Sequence, residues 1–285
     1  MSELLQNKKA NMKTNTSILQ ANPILRKLSK VTERSEDNCA SYHGIALKTC
    51  FFLIATLFGM VLQLILQNTV LAGQPIWSTF KLADNISIAV SKLEVIILGS
   101  AAVIGFVSQL FGIFARRSIP VSGTIYSVCQ GYFISFLVFR ALGDFGYLGI
   151  EALILTVVVI GVMSWLYTSG RVRANGKFRV ILLSLIIGSI ALSLLMFLGS
   201  LIPMTRGFVL QLMHNTGLMI AVDVIGILIA SLFLISDFDM IDTCVKENYP
   251  REYEWSASFG LVFTVIWLYM KILDLLITLA GKKKD

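Results

Sequence analysis

The chain has 285 residues, 56% of them hydrophobic and only 14% charged, with a formal charge of +7. Ordinary soluble domains carry about 25% charged residues, so a water-soluble globule is excluded and a polytopic membrane protein is expected. The excess base sits at the ends of apolar runs, where membrane topology explains it, and no nucleic-acid motif accompanies it, so a nucleic-acid partner is excluded.

Residues 1–44 are polar and mixed in charge, and they lack the apolar stretch and small-residue cleavage site of a signal peptide. They read as a cytosolic, largely disordered tail. The piece from Asn22 to Lys30 either lies on an anionic membrane surface, where each basic residue contributes about 1 kcal/mol, or is a solvated tail that fixes orientation. Runs near 20 apolar residues then follow at about 45–66, 93–114, 121–139, 147–167, 180–202, 217–236 and 256–279. Short connections between them make residues 45–281 one all-α transmembrane domain of seven helices, followed by a basic tail at 282–285.

Orientation follows from the flanking bases. With the N-terminus inside, the inner side holds Arg26, Lys27, Lys30, Arg34, Lys48, Arg116, Arg117, Arg171, Arg173, Lys177, Arg179, Lys246 and Arg251. The outer connections hold Lys81, Lys92, Arg140 and Arg206, joined by Lys282, Lys283 and Lys284 if the last segment spans. A cytosolic N-terminus is expected. A re-entrant last segment, which returns the tail inside, stays open beside seven full spans.

Enzyme signatures are missing. No Gly-x-Ser-x-Gly nucleophile or histidine lies in the spans, and His-Glu-x-x-His is absent. Asp223 and Asp237 share one helix, so they cannot form an intramembrane aspartyl dyad. His43 and His214 fall on opposite sides of the membrane and cannot share a metal, and Cys39, Cys50, Cys129 and Cys244 have no Cys-x-x-Cys spacing. The reading is of a non-enzyme without a cofactor.

The ionisable groups at the end of the chain carry the functional argument. Asp237, Asp239 and Asp242 follow the sixth apolar run, and Lys271 and Asp274 lie inside the seventh, three positions apart on one face. A charge inside a span costs about 2.5–3.5 kcal/mol on insertion scales and marks function by default. Asp223 precedes Asp237 by fourteen residues, within about 40° on one face and about 21 Å along the helix, so the two either line one path or Asp223 is an acid solvated near the outer end. Glycines at 99, 105 and 112, and the pairs Ser184/Gly188 and Gly226/Ala230, read as helix-packing positions. The acids from Asp239 to Glu254 form either a vestibule or a solvated loop.

From Asn22 to the C-terminus the chain resembles the Bax inhibitor-1 family of transmembrane BAX inhibitor motif proteins, in its bacterial, YccA-like branch. The segments that carry this are Ala102-Val-Ile-Gly-Phe-Val107, Gln130-Gly131, Leu166-Tyr-Thr-Ser-Gly170 with Gly176-Lys-Phe-Arg179, Ser236-Asp-Phe-Asp-Met-Ile241, and Tyr253-Glu-Trp-Ser-Ala-Ser-Phe-Gly-Leu261 leading into Trp267-Leu-Tyr-Met-Lys-Ile272. The resemblance implies seven helices around a central last one, in a bacterial plasma membrane. It also implies a pH-sensitive calcium leak in some members and regulation of membrane proteases or cell-death partners in others.

In the leak-type members an aspartate ending the sixth helix shares a proton with an acid in the seventh. Asp237 matches the first position, and the second falls on Lys271, with Asp274 three residues on. Opposite charges favour both charged forms, so a contact between Asp237 and Lys271 would be a fixed ion pair over physiological pH and any leak would be less pH-sensitive. Lys271 is expected to pair with Asp274 or Asp237, as a structural pair or as part of a gate. Glu94 resembles an acid near the outer mouth and reads equally as an interface acid. Arg117, with Arg116, matches bases that pair with the gating acid in the family, or serves topology alone. Two functions stay open: a cation leak, and a non-conducting regulator of a membrane protease or other membrane protein.

Overall fold

A computed structural model describes residues 39–83, 86–172, 176–213 and 215–282. The N-terminal tail, His214 and the last three residues lie outside them. Among the described residues there are eight α-helices and one β-hairpin. Seven helices are long and apolar enough to cross a membrane, and they lie where the apolar runs predict. The protein is an integral membrane protein.

Helix α1, Tyr42–Thr69, starts at Ser41, whose side chain accepts from the Gly44 amide at 3.0 Å. An N-cap of this kind satisfies one of the donors that a helix start leaves free. Strands β1, Ile76–Ala83, and β2, Ile86–Ser91, then form an antiparallel hairpin that the sequence reading treats as plain connection. Ile88 and Val90 bury themselves against Ala141 beneath it. Helix α2, Lys92–Phe114, opens with a reciprocal capping box between Ser91 and Glu94.

A turn at Arg116–Ser118 leads into α3, Ile119–Ser135, with Pro120 in its first turn, where the missing N–H costs nothing. The chain continues as a π-helical turn, Phe136–Ala141, that completes the third span. Then come α4, Tyr147–Thr168, α5, Gly176–Leu201, and a short α6, Pro203–Met213. Helix α7, Thr216–Lys246, is capped by Asn215 and runs ten residues past the apolar segment. Helix α8, Tyr253–Lys282, is one unbroken helix, as a span requires and a re-entrant loop does not.

The last helix is the central one. It packs against α1, α3, α4 and α7. It also supplies more of the buried core than any other helix, including Phe259, Val262, Ile266, Leu268 and Leu273. Helix α2 joins through α3, and α5 joins through α6 and α7. Two glycines bring α1 and α3 together backbone to backbone. A methyl on Gly59 would stand 2.1 Å from the Val128 carbonyl oxygen, and one on Gly131 would stand 1.9 Å from that of Thr56. By contrast, Gly99 and Gly188 face nothing within 4 Å, so these two do not serve the helix packing expected of them.

The start of α1 is clasped to the turn between α7 and α8. Cys39 bridges to Pro250, and the Ala40 amide donates to the Tyr249 carbonyl at 2.7 Å. In that turn Asn248 takes φ 52°, and the carboxylate of Glu247, hydrogen-bonded to the Tyr249 hydroxyl, pushes the phenol pKa up.

Candidate functional site in the last helical hairpin

Helices α7 and α8 run antiparallel, so residues meet according to their distance from the turn. Gly226 faces Lys271, and eleven residues nearer the turn on each helix Asp237 faces Gly260. Eleven residues are about 16 Å of helix. Asp237 and Lys271 therefore stand at different depths and do not pair, contrary to one of the two pairings expected for Lys271. The reason is geometric: matching two positions by motif ignores how far each lies from the connecting turn.

Lys271 lays its stem across Gly226, where an added methyl would come 2.8 Å from Cδ. Its ammonium reaches the Asp274 carboxylate at 3.2 Å, one of the expected partners. It also reaches Asp223 Oδ1 at 3.6 Å on α7, which the sequence reading places on the same path but does not pair with it. Asp223 is 2% exposed, and its second oxygen has no hydrogen-bond partner. A buried carboxylate of this kind keeps its charge only beside a cation. Glycine at 226 is what lets the four-carbon stem lie flat enough to bring one.

Asp237 has a different environment. Its Oδ2 is occluded and without a hydrogen-bond partner, and the polar side chain beside it is the Thr264 hydroxyl. That hydroxyl donates to the Gly260 carbonyl at 3.2 Å. Asp223 and Asp237 both face α8, as their fourteen-residue spacing predicts.

A family model described as Bax inhibitor 1 like matches residues 6–281. The chain belongs to that family. No curated protein and no solved structure matches it.

For a Bax inhibitor 1 like protein, the remaining expected positions divide sharply. Glu94 is buried and tied to Arg140, with Nε to Oε1 at 3.4 Å, while Arg140 also donates to the Ala89 carbonyl at 2.7 Å. With its amide nitrogen turned to the carboxylate, Gln67 donates to Glu94 at 3.2 Å and accepts from Arg140 at 3.2 Å. Glu94 is thus an internal linker of α1, α2 and the end of the third span. Arg117 is exposed on the 116–118 turn. Its neighbour Arg116 donates to the Tyr253 hydroxyl at 2.6 Å and stacks on that ring.

The sequence reading places Glu254 in a vestibule or a solvated loop, and the structure buries it instead. It is 1% exposed, accepts from the Ser41 amide at 2.9 Å and the Ser41 hydroxyl at 3.2 Å, and pairs with Lys48. The flanking-base pattern gives Lys48 to topology alone, and nothing in the sequence joins positions so far apart. Asp242 likewise pairs with Lys246 and accepts from Tyr42 at 2.5 Å. These two acids are engaged rather than freely solvated. Among the described residues no three His, Cys, Asp or Glu side chains group as metal ligands.

Proposed function

We propose that this Bax inhibitor 1 like protein is a cation leak of the bacterial plasma membrane, of the family's bacterial branch, with a cytosolic N-terminus and calcium as the permeant ion. In this reading it catalyses no reaction and needs no cofactor. The observation that carries the reading is the contrast among four acids packed inside the bundle. Asp223, Glu94 and Glu254 each have a cationic partner, and Asp237 has none among the described residues. A charge fixed by a counter-charge stays fixed, so Asp237 is the acid whose charge a proton can switch.

The reduced pH sensitivity expected from an Asp237–Lys271 pair loses its basis, because the pair is not formed. In its place, Asp237 is the pH-responsive element, and the Asp223–Lys271–Asp274 group is a constant electrostatic plug further along the same hairpin. Calcium entry into liposomes at pH 6 and pH 8 tests this with wild type, Asp237→Asn and Lys271→Met. A pH-dependent wild type, a flat Asp237→Asn and increased entry through Lys271→Met are expected. A flat wild-type profile refutes the role of Asp237.

A second reading is a non-conducting regulator of a membrane protease or another membrane protein. It is favoured by the neutralised interior pairs, Lys271 with Asp223 and Asp274, Arg140 with Glu94, and Lys48 with Glu254, which suit a sealed bundle. No flux from any variant would favour it.

A further inference from the structure

At the end of the bundle where α2 gives way to α3, a cleft of about 240 Å³ opens between α2, the 116–118 turn and the first turns of α8. Its walls are Phe259 and Phe263 on α8 and Gly112 on α2, with Gln109, Ser256 and Arg116 as the polar groups. Gly112 admits Phe259: a methyl there would stand 3.0 Å from the ring. The Ser256 hydroxyl is occluded and has no hydrogen-bond partner. Arg116 is exposed, and among the described residues no carboxylate pairs with it. Its guanidinium is oriented by Tyr253, which takes one of its five N–H donors and stacks on its face at 4.6 Å. Among the described residues no other side chain takes its remaining donors.

We infer that this cleft holds an acidic phospholipid, its anionic headgroup on Arg116 and part of an acyl chain against Phe259 and Phe263. The charge and the apolar walls together select the occupant. A soluble anion has no use for two aromatic rings, and the phosphate of a zwitterionic lipid already carries its own ammonium counter-charge, so an oriented guanidinium without a carboxylate favours a lipid with net negative charge. The cleft borders α2, whose Phe106, Phe111 and Phe114 are exposed on a helix apolar enough to span, so its neighbour is the bilayer. Basic pockets between spanning helices bind anionic headgroups on this principle. The Ser256 hydroxyl and the Gln109 amide add neutral hydrogen bonds to headgroup or glycerol oxygens.

The test is lipid retention by the full-length protein in detergent, read by native mass spectrometry after adding phosphatidylglycerol or phosphatidylcholine. It is run at high ionic strength, so that unspecific surface attraction is screened. Wild type should retain one phosphatidylglycerol in preference to phosphatidylcholine. Arg116→Gln should weaken that retention at least tenfold, the loss expected for charge-assisted hydrogen bonds. Arg117→Gln, an exposed charge on the same turn that does not line the cleft, should change it by no more than about fivefold at low salt and little at high salt. Tyr253→Phe should keep the preference, and Ser256→Leu should abolish retention by filling the cleft with the charge intact.

Equal losses from Arg116→Gln and Arg117→Gln would overturn the inference in favour of general surface electrostatics. Equal retention of the two lipids would overturn it as well. Competition by glycerol 3-phosphate as effective as by the whole lipid would show that only an anion is bound.

Discussion

Replacing Lys271 by methionine keeps the length of the stem over Gly226 and removes only the charge between Asp223 and Asp274. At 3.6 Å and 3.2 Å the two attractions are each about 5 kcal/mol at an effective dielectric of 20, before the cost of taking the ions from water. Most of that sum cancels against desolvation, and what remains in the variant is Asp223, 2% exposed with nothing opposite it. Removing one partner of a buried pair costs about 3–5 kcal/mol. The Lys271–Asp274 contact contributes less, because the Asp274 side chain is 41% exposed. Lys271→Met is therefore expected to lose about 3 kcal/mol, or roughly 6–12 °C in Tm at a few degrees per kcal/mol. Asp274→Asn should lose under about 1 kcal/mol. The double variant Lys271→Met with Asp223→Asn should return to within about 1 kcal/mol of wild type, since it leaves no charge unpaired. Thermal unfolding of the four purified proteins, followed by tryptophan fluorescence, measures these differences. A Lys271→Met protein that melts with wild type would show that the lysine reaches water and pairs with nothing.

Glu254→Gln should strand Lys48 and loosen the start of α1. A loss of about 3 kcal/mol in thermal unfolding, with faster amide exchange at Ala40 and Ser41, is the expected result. Gly131→Ala drives a methyl into the Thr56 carbonyl, where no flexible side chain can yield, and should cost more than about 3 kcal/mol. Its matched control Gly188→Ala meets open space and should be neutral or stabilising by up to about 1 kcal/mol, so similar melting of the two would refute the close α1–α3 approach. A cysteine added after Asp285, on a background lacking the four native cysteines, should label from outside in intact cells. Labelling only after permeabilisation would overturn the seven-span orientation with an inner N-terminus.

The seven spans were legible because lipid demands long apolar runs, and that demand is written residue by residue. Their ends were less so. Asp237, Asp239 and Asp242 mark where hydrocarbon gives way, yet the hydrogen-bond ladder of α7 continues to Lys246, since helix propagation does not depend on lipid. The 76–91 hairpin carried a local signal, Ile86, Ile88 and Val90 alternating with Ser87, Ala89 and Ser91, but a strand this short between two spans reads first as a connection. Within the site, the Lys271–Asp274 contact follows from spacing along one helix. The contact with Asp223 needs the register between two helices, and that register was partly available. Asp237 lies nine residues before the end of α7 and Lys271 eighteen after the start of α8, so an antiparallel hairpin cannot bring them level. The Lys48–Glu254 pair joins the first helix to the last and depends on the whole arrangement of the bundle, which no local pattern reports.

The clasp between the start of α1 and the turn at Tyr249 and Pro250 gives the N-terminal segment mechanical purchase on the far end of the chain. The same turn joins α7 to α8, the helices that carry Asp237, Asp223 and Lys271. A protein that grips the residues before Cys39 would therefore be holding a handle on the interior acids without entering the membrane. The clasp itself begins at Cys39, so a tail cut just before that residue would leave its bonds to Tyr249 and Pro250 in place.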